Sequence, residues 1–134
     1  MDITNNIKIM GFDPGESTGV SYFKYGLFSQ DTIVKDFTGI ASAIVSYKPD
    51  IIVVEEFVLY PSKARHLSWN DMYASQVIGV IKYICEVLDI PVVMQQANVK
   101  KFVDYSKCEA KNDHEKDAYA HTWFYIKKNK LAEI

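Results

Sequence analysis

Cysteine is scarce in this sequence: there are two, Cys85 and Cys108, far apart and outside any CxxC pair. That excludes a disulfide framework and a cysteine zinc site, and leaves Cys85 as core filler. Long apolar runs are also missing. The longest are short, such as residues 51–54, and none approaches the roughly 20 residues needed to span a bilayer. Residues 1–8 hold no basic stretch followed by an apolar one, so no signal peptide is visible and a cytoplasmic protein without a membrane partner is expected. No repeat or low-complexity tract is present. Nor is the charge one-sided, since 15 Lys plus Arg against 17 Asp plus Glu leave a net charge of −2. That sum alone does not point to nucleic acid.

What is present is enough apolar material for one core. With 134 residues, 49% of them hydrophobic and 13% aromatic, the chain suits a single domain over residues 1–134 and lies far from the composition of disordered chains. Basic residues gather late: Lys100, Lys101, Lys107, Lys111, Lys116, Lys127, Lys128 and Lys130 all fall in the last 35 positions. They suit either phosphate contacts or a solvated helix face that complements the helix dipole. If some of the acids hold metals, two divalent cations reverse the sign of the net charge.

Residues 7–12 read as an apolar strand that runs into Asp13-Pro14-Gly15, where proline and glycine end the ladder. Residues 18–23 and 25–34 follow as two more strands of an antiparallel meander. Phe37, Ile40, Ala41, Ile44 and Val45 recur at helical spacing up to Lys48-Pro49. The β-branched run 51–54 suits a strand covered on both faces, and it ends in Glu55 and Glu56. After the polar, basic stretch 61–66, Ser68 suits an N-cap. Trp69, Met72, Tyr73, Gln76, Val77, Val80, Ile81, Ile84, Cys85 and Leu88 then mark a five-turn helix. Ile78, Gly79 and Val87 lie off that stripe. A short strand at residues 91–95, a brief helix at 98–103 and a last helix from about 113 to 128 complete a mixed α/β order.

This order sets acids at matching places. Asp13 ends the first strand, Glu55 and Glu56 end the fourth, and Asp117 lies on the last helix one turn after Asp113 and His114. Neighbouring strand tips lie about one strand spacing apart, and residues three or four apart share a helix face. Carboxylates gathered in this way resist ionisation unless cations neutralise them, and oxygen ligands with one histidine suit Mg²⁺ or Mn²⁺. Two such ions about 4 Å apart can activate a water and stabilise the leaving oxygen of a phosphodiester. Taken singly, each residue also has a plainer role. Asp13 suits a turn, Glu55 and Glu56 a solvated sheet edge, Asp113 an N-cap and His114 a helix surface.

Ile9-Met10-Gly11-Phe12-Asp13-Pro14-Gly15 with Thr18-Gly19 resembles the first strand of RuvC-type Holliday junction resolvases, members of the ribonuclease H-like superfamily. Val53-Val54-Glu55-Glu56-Phe57 is similar to their second acidic strand. His114-Glu115-Lys116-Asp117-Ala118, with His121 after it, resembles their closing helix, especially the short phage-type HxxDAxxH form. The resemblance implies a ribonuclease H-like fold: a mixed five-stranded sheet, its first three strands antiparallel, with helices on both faces. It implies a metal-dependent endonuclease of bacterial or phage-infected cells that resolves branched DNA by paired nicks.

It further implies that Asp13, Glu55, His114 and Asp117 are catalytic metal ligands, with Glu56 and Asp113 as alternates, for two Mg²⁺ or Mn²⁺ ions. Lys100, in Asn98-Val99-Lys100-Lys101, resembles the basic residue that supports catalysis in the family. Lys63, Arg65, Lys100, Lys101, Lys107, Lys111, Phe57 and Tyr60 are then candidates for DNA contact. Paired nicking implies a homodimer, which family members form largely through the long helix, here residues 69–88. The segment between Lys101 and His114 is much shorter than in bacterial RuvC. YqgF-like nucleases and catalytically silent junction-binding modules are the alternatives.

Overall fold

The computed structural model describes residues 6–57 and 69–134. Tyr60, Lys63, Arg65 and the Ser68 cap lie outside the described residues. Five strands, β1 (Ile9–Asp13), β2 (Ser17–Lys24), β3 (Leu27–Val34), β4 (Ile51–Glu55) and β5 (Val92–Gln95), form one sheet in the order β3-β2-β1-β4-β5. The first three are antiparallel, and β4 and β5 run parallel to β1. The sheet is therefore mixed, in the manner the sequence implies.

Local chemistry accounts for its joints. Tyr25 and Gly26 both take positive φ, the backbone that a two-residue hairpin between twisted strands requires. At the other end of the sheet, the Thr18 hydroxyl donates to the Gly15 carbonyl at 2.9 Å and closes the turn that follows Asp13. β1 and β4 are buried on both faces, as their unbroken apolar runs demand.

Helices cover both faces. α1 (Phe37–Tyr47) and α2 (Trp69–Leu88) pack on one side, around Met10, Phe12, Val20, Ile52 and Val54. α1 starts at the Asp36 side chain, which accepts from the Gly39 amide, and stops at Lys48 in the left-handed region. α3 (Asp113–Asn129) lies across the other face, over Ile9, Phe23 and Val53. Its N-cap is Asn112, whose side chain accepts from the Glu115 amide, so Asp113 is the first helical residue and not the cap.

The long helix sits rotated from the sequence expectation. Ala74, Val77, Ile81 and Cys85 are its buried row, and Tyr73, Ile78, Val80 and Ile84 flank them against the core. Ile78 therefore belongs to the packed side. Trp69 and Met72, expected on the inner stripe, are 80% and 45% exposed, and they share an outward face with Gly79, Tyr83 and Val87. Periodicity defines an apolar arc but not its centre, and this helix is apolar over more than half its circumference. No described helix is long and apolar enough to cross a membrane.

Candidate active site

Phe12 pairs with Val54 across two parallel strands, so Asp13 and Glu55, the next residue of each strand, emerge side by side at the same edge of the sheet. Bringing α3 over them depends on two glycines. A Cβ at Gly11 would overlap the Thr122 hydroxyl and crowd the Ala118 carbonyl, and one at Gly19 would overlap the His114 carbonyl. Only a residue without a side chain lets the helix backbone rest this close to β1 and β2. Glu115, buried beneath the first turn, fastens the helix in place. Its carboxylate accepts from the Thr32 hydroxyl of β3 and from the Lys111 amide at 3.1 Å.

The result is a cluster in which Asp13, Glu55 and Asp117 each offer a carboxylate oxygen within 4.8 Å of the others, the one such group among the described residues. His114 stands at its edge, Nδ1 3.6 Å from Asp13 Oδ2. A cleft of about 250 Å³ opens above the cluster, and Glu56, Phe57, Asp113 and Asp71 contribute to its walls. Lys100 enters from the 3₁₀ turn Ala97–Phe102, its Nζ 2.7 Å from Glu55 Oε1 and 3.2 Å from Asp117 Oδ2. Its ammonium is thus committed to the acids. Lys101, Lys107 and Lys111 are exposed, and none of them forms an ion pair among the described residues.

Electrostatics within the cluster are asymmetric. Burial, followed by the Glu55 charge and a hydrogen bond to Glu55, pushes the Asp13 carboxyl up to about 8. Burial acts on Glu55 in the same sense, but hydrogen bonds from His121, Lys100 and Asp13 outweigh it and hold Glu55 down to about 2. For Lys100, burial works against the charge, yet contact with Glu55 and Asp117 raises it above the ordinary lysine value. Carboxylates this close keep a proton on one member unless cations supply the neutralising charge. The donor set is hard oxygen with an adjacent imidazole, which suits Mg²⁺ or Mn²⁺.

Sequence reasoning assigned no role to two residues behind the cluster. His121 is fully buried, with Nε2 3.0 Å from Glu55 Oε1 and Nδ1 2.9 Å from Gln95 Nε2. His121 closes the HxxDAxxH resemblance, which gave it no role, one helical turn after Asp117, and Gln95 is the β5 partner of Glu55 in the parallel register.

No family model matches the sequence, and no curated protein sequence matches it. Solved structures do share its fold. Thermus thermophilus RuvC in complex with Holliday junction substrate aligns with a TM-score of 0.72 at 12% identity, covering 96% of this chain and 99% of that one. A further Thermus thermophilus RuvC structure aligns at 0.62 with 15% identity, covering 95% and 99%. The yeast mitochondrial Holliday junction resolvase aligns at 0.58 with 8% identity, covering 94% and 80%. The fold is therefore the ribonuclease H-like fold of RuvC.

Proposed function

We propose that this chain is a metal-dependent endonuclease that resolves four-way DNA junctions by paired nicks, leaving 5′-phosphate and 3′-hydroxyl ends. The observation that carries the reading is the meeting of Asp13, Glu55 and Asp117 at one cleft, from two strands and a helix of a RuvC-like fold. Asp13, Glu55 and Asp117, with His114 at the rim, would hold the divalent ions. When bound, such ions supply an activated water and positive charge opposite the leaving oxygen of a phosphodiester.

The chain's own groups then have separate tasks. Asp13, the central acid, gives up its proton when the site is loaded. Glu55 is oriented by Lys100 and His121 on one of its oxygens. Lys100 offsets negative charge where a phosphate would approach. Lys101, Lys107 and Lys111, together with Lys63 and Arg65, supply phosphate contacts along the flanking arms. Phe57, on the cleft wall, and Tyr60 are the aromatic candidates for contact with bases at the crossover.

Two nicks need two sites, and a two-fold dimer supplies them. The outward face of α2 suits that interface: Trp69, Met72, Tyr83 and Val87 are exposed along one row, with Gly79 open between them. Contiguous apolar exposure of this kind marks interaction sites.

Incubation of a synthetic four-way junction and a matched linear duplex with protein plus Mg²⁺, then Mn²⁺, tests the reading. Symmetric cutting of the junction is expected, and Asp13→Asn is expected to abolish cutting while junction binding persists. Equal cutting of linear duplex would instead indicate an unselective nuclease. Binding without metal-dependent turnover by the wild-type protein would indicate a silent junction-binding module.

A further inference from the structure

Glu55 is backed by a hydrogen-bond chain whose direction follows from the chemistry of its members. Gln95 Nε2 lies 3.2 Å from the His121 carbonyl oxygen as well as 2.9 Å from His121 Nδ1. A carbonyl can only accept, so the Gln95 atom facing it is the amide nitrogen, a donor. Facing that same donor, Nδ1 must accept through its lone pair. The ring proton then sits on Nε2, which points at Glu55 Oε1 3.0 Å away. Lys100 Nζ donates to this same oxygen at 2.7 Å.

We propose that Gln95 and His121 are positioning residues that fix the Nε2–H tautomer and, with it, the oxygen of Glu55 offered to divalent cations. Oε1 is occupied by two donors, so Oε2 is the oxygen turned to the cation. The inference rests on reading the acid cluster as a metal site, and it gives a task to Gln95 and to His121, which the helix motif includes without a role. His121 has no access to the cleft: it is fully buried, and only its Nε2–H edge meets the cluster. Such outer partners of metal ligands set ligand orientation, and their removal typically weakens metal binding by about 10- to 100-fold.

Two measurements on the full chain test this. Nitrogen-15 NMR of the His121 imidazole in metal-free wild-type protein is expected to report a protonated Nε2 and a bare Nδ1, with the single tautomer lost in Gln95→Leu. Calorimetric titration with Mn²⁺ alone, without DNA, is expected to show about 10- to 100-fold weaker binding for Gln95→Leu and His121→Leu. His121→Gln, whose amide nitrogen can occupy the Nε2 position, is expected to restore near wild-type binding. A protonated Nδ1 in the wild-type protein overturns the proposal, as does undiminished Mn²⁺ affinity in folded leucine variants. If His121→Leu fails to fold in thermal melts, Gln95→Leu, at the partly exposed end of β5, and the wild-type tautomer decide the matter. Wild-type protein that binds Mn²⁺ but cuts no DNA removes the nuclease reading alone. Wild-type protein that binds no Mn²⁺ removes both.

Discussion

Asp13 and Glu55 end neighbouring parallel strands and hold one proton between them. Burial and the Glu55 charge raise Asp13 to about 8, while Glu55, despite its own burial, is held down to about 2 by His121, Lys100 and Asp13. The two carboxylates, one strand apart, thus differ because burial and the Glu55 charge dominate at Asp13, whereas hydrogen bonds from His121 and Lys100 outweigh burial at Glu55.

The stability of the metal-free protein should reflect this proton. Asp13 rises from an ordinary 3.8 to about 8, so the folded state keeps a proton that the unfolded chain has released. That contribution is complete below about 4 and lost as pH rises toward 8. Glu55 acts in the opposite sense: its contribution is present above 4.5 and lost as pH falls toward 2. Melts in a chelator should therefore show stability declining from weakly acidic to alkaline pH, with a flatter decline in Asp13→Asn. Mn²⁺ binding near neutral pH should release about one proton, measurable by calorimetry in buffers of different ionisation heat. Uptake without proton release would contradict the shared-proton description.

Glu55→Gln should reduce cleavage more than about a hundredfold, beyond what removal of an outer ligand partner costs, whereas Glu56→Gln should have little effect. The pleat sends neighbouring residues to opposite sides. Glu55 meets Asp13 and Lys100, while Glu56 is exposed on the cleft wall. Single-turnover cutting of a junction by both variants is the measurement, and equal losses would show that Glu56 also serves.

His114→Asp should keep activity and move the preference from Mn²⁺ toward Mg²⁺, because a hard oxygen replaces a borderline nitrogen beside Asp13. The ratio of rates in the two metals is the readout. An unchanged ratio would transfer the role to Asp113, which also lines the cleft.

Gly19→Ala should destabilise the protein by about 1–3 kcal/mol, as overpacking does, because the new methyl meets helix backbone rather than a movable side chain. Any shift that relieves the overlap moves His114 and Asp117 relative to Asp13. Misplacement of about 1 Å can cost about a hundredfold in rate, so cleavage should fall by more than the melting temperature suggests. Wild-type cutting by a destabilised variant would separate helix position from activity.

Gly79→Glu should split a dimer built on α2 and turn concerted nicking into slow, separate nicks. A Cβ at Gly79 meets nothing within 4 Å among the described residues, so the substitution should leave the fold intact. Light scattering at micromolar concentration reports the assembly state. A wild-type monomer that still cuts both strands together would remove the symmetric mechanism.

The sequence by itself determined where the acids sit along the chain. Proline and glycine after Asp13, the β-branched run before Glu55 and the start of the last helix are local signals, read within a few residues. The order of those elements, with the motif resemblance, was enough to imply a mixed sheet covered on both faces. Tertiary structure decided which groups surround the acids. Lys100 arrives from a 3₁₀ turn, His121 from inside the helix and Gln95 from an edge strand, joined only where β4, β5 and α3 pack together. The outward row of α2 was equally beyond local reading: several arcs of that helix are apolar, and contact with the sheet and α1 selects the one that turns inward. Local patterns record a residue's own preference. Hydrogen-bond direction, proton position and the buried face belong to pairs of residues that only the packed chain brings together.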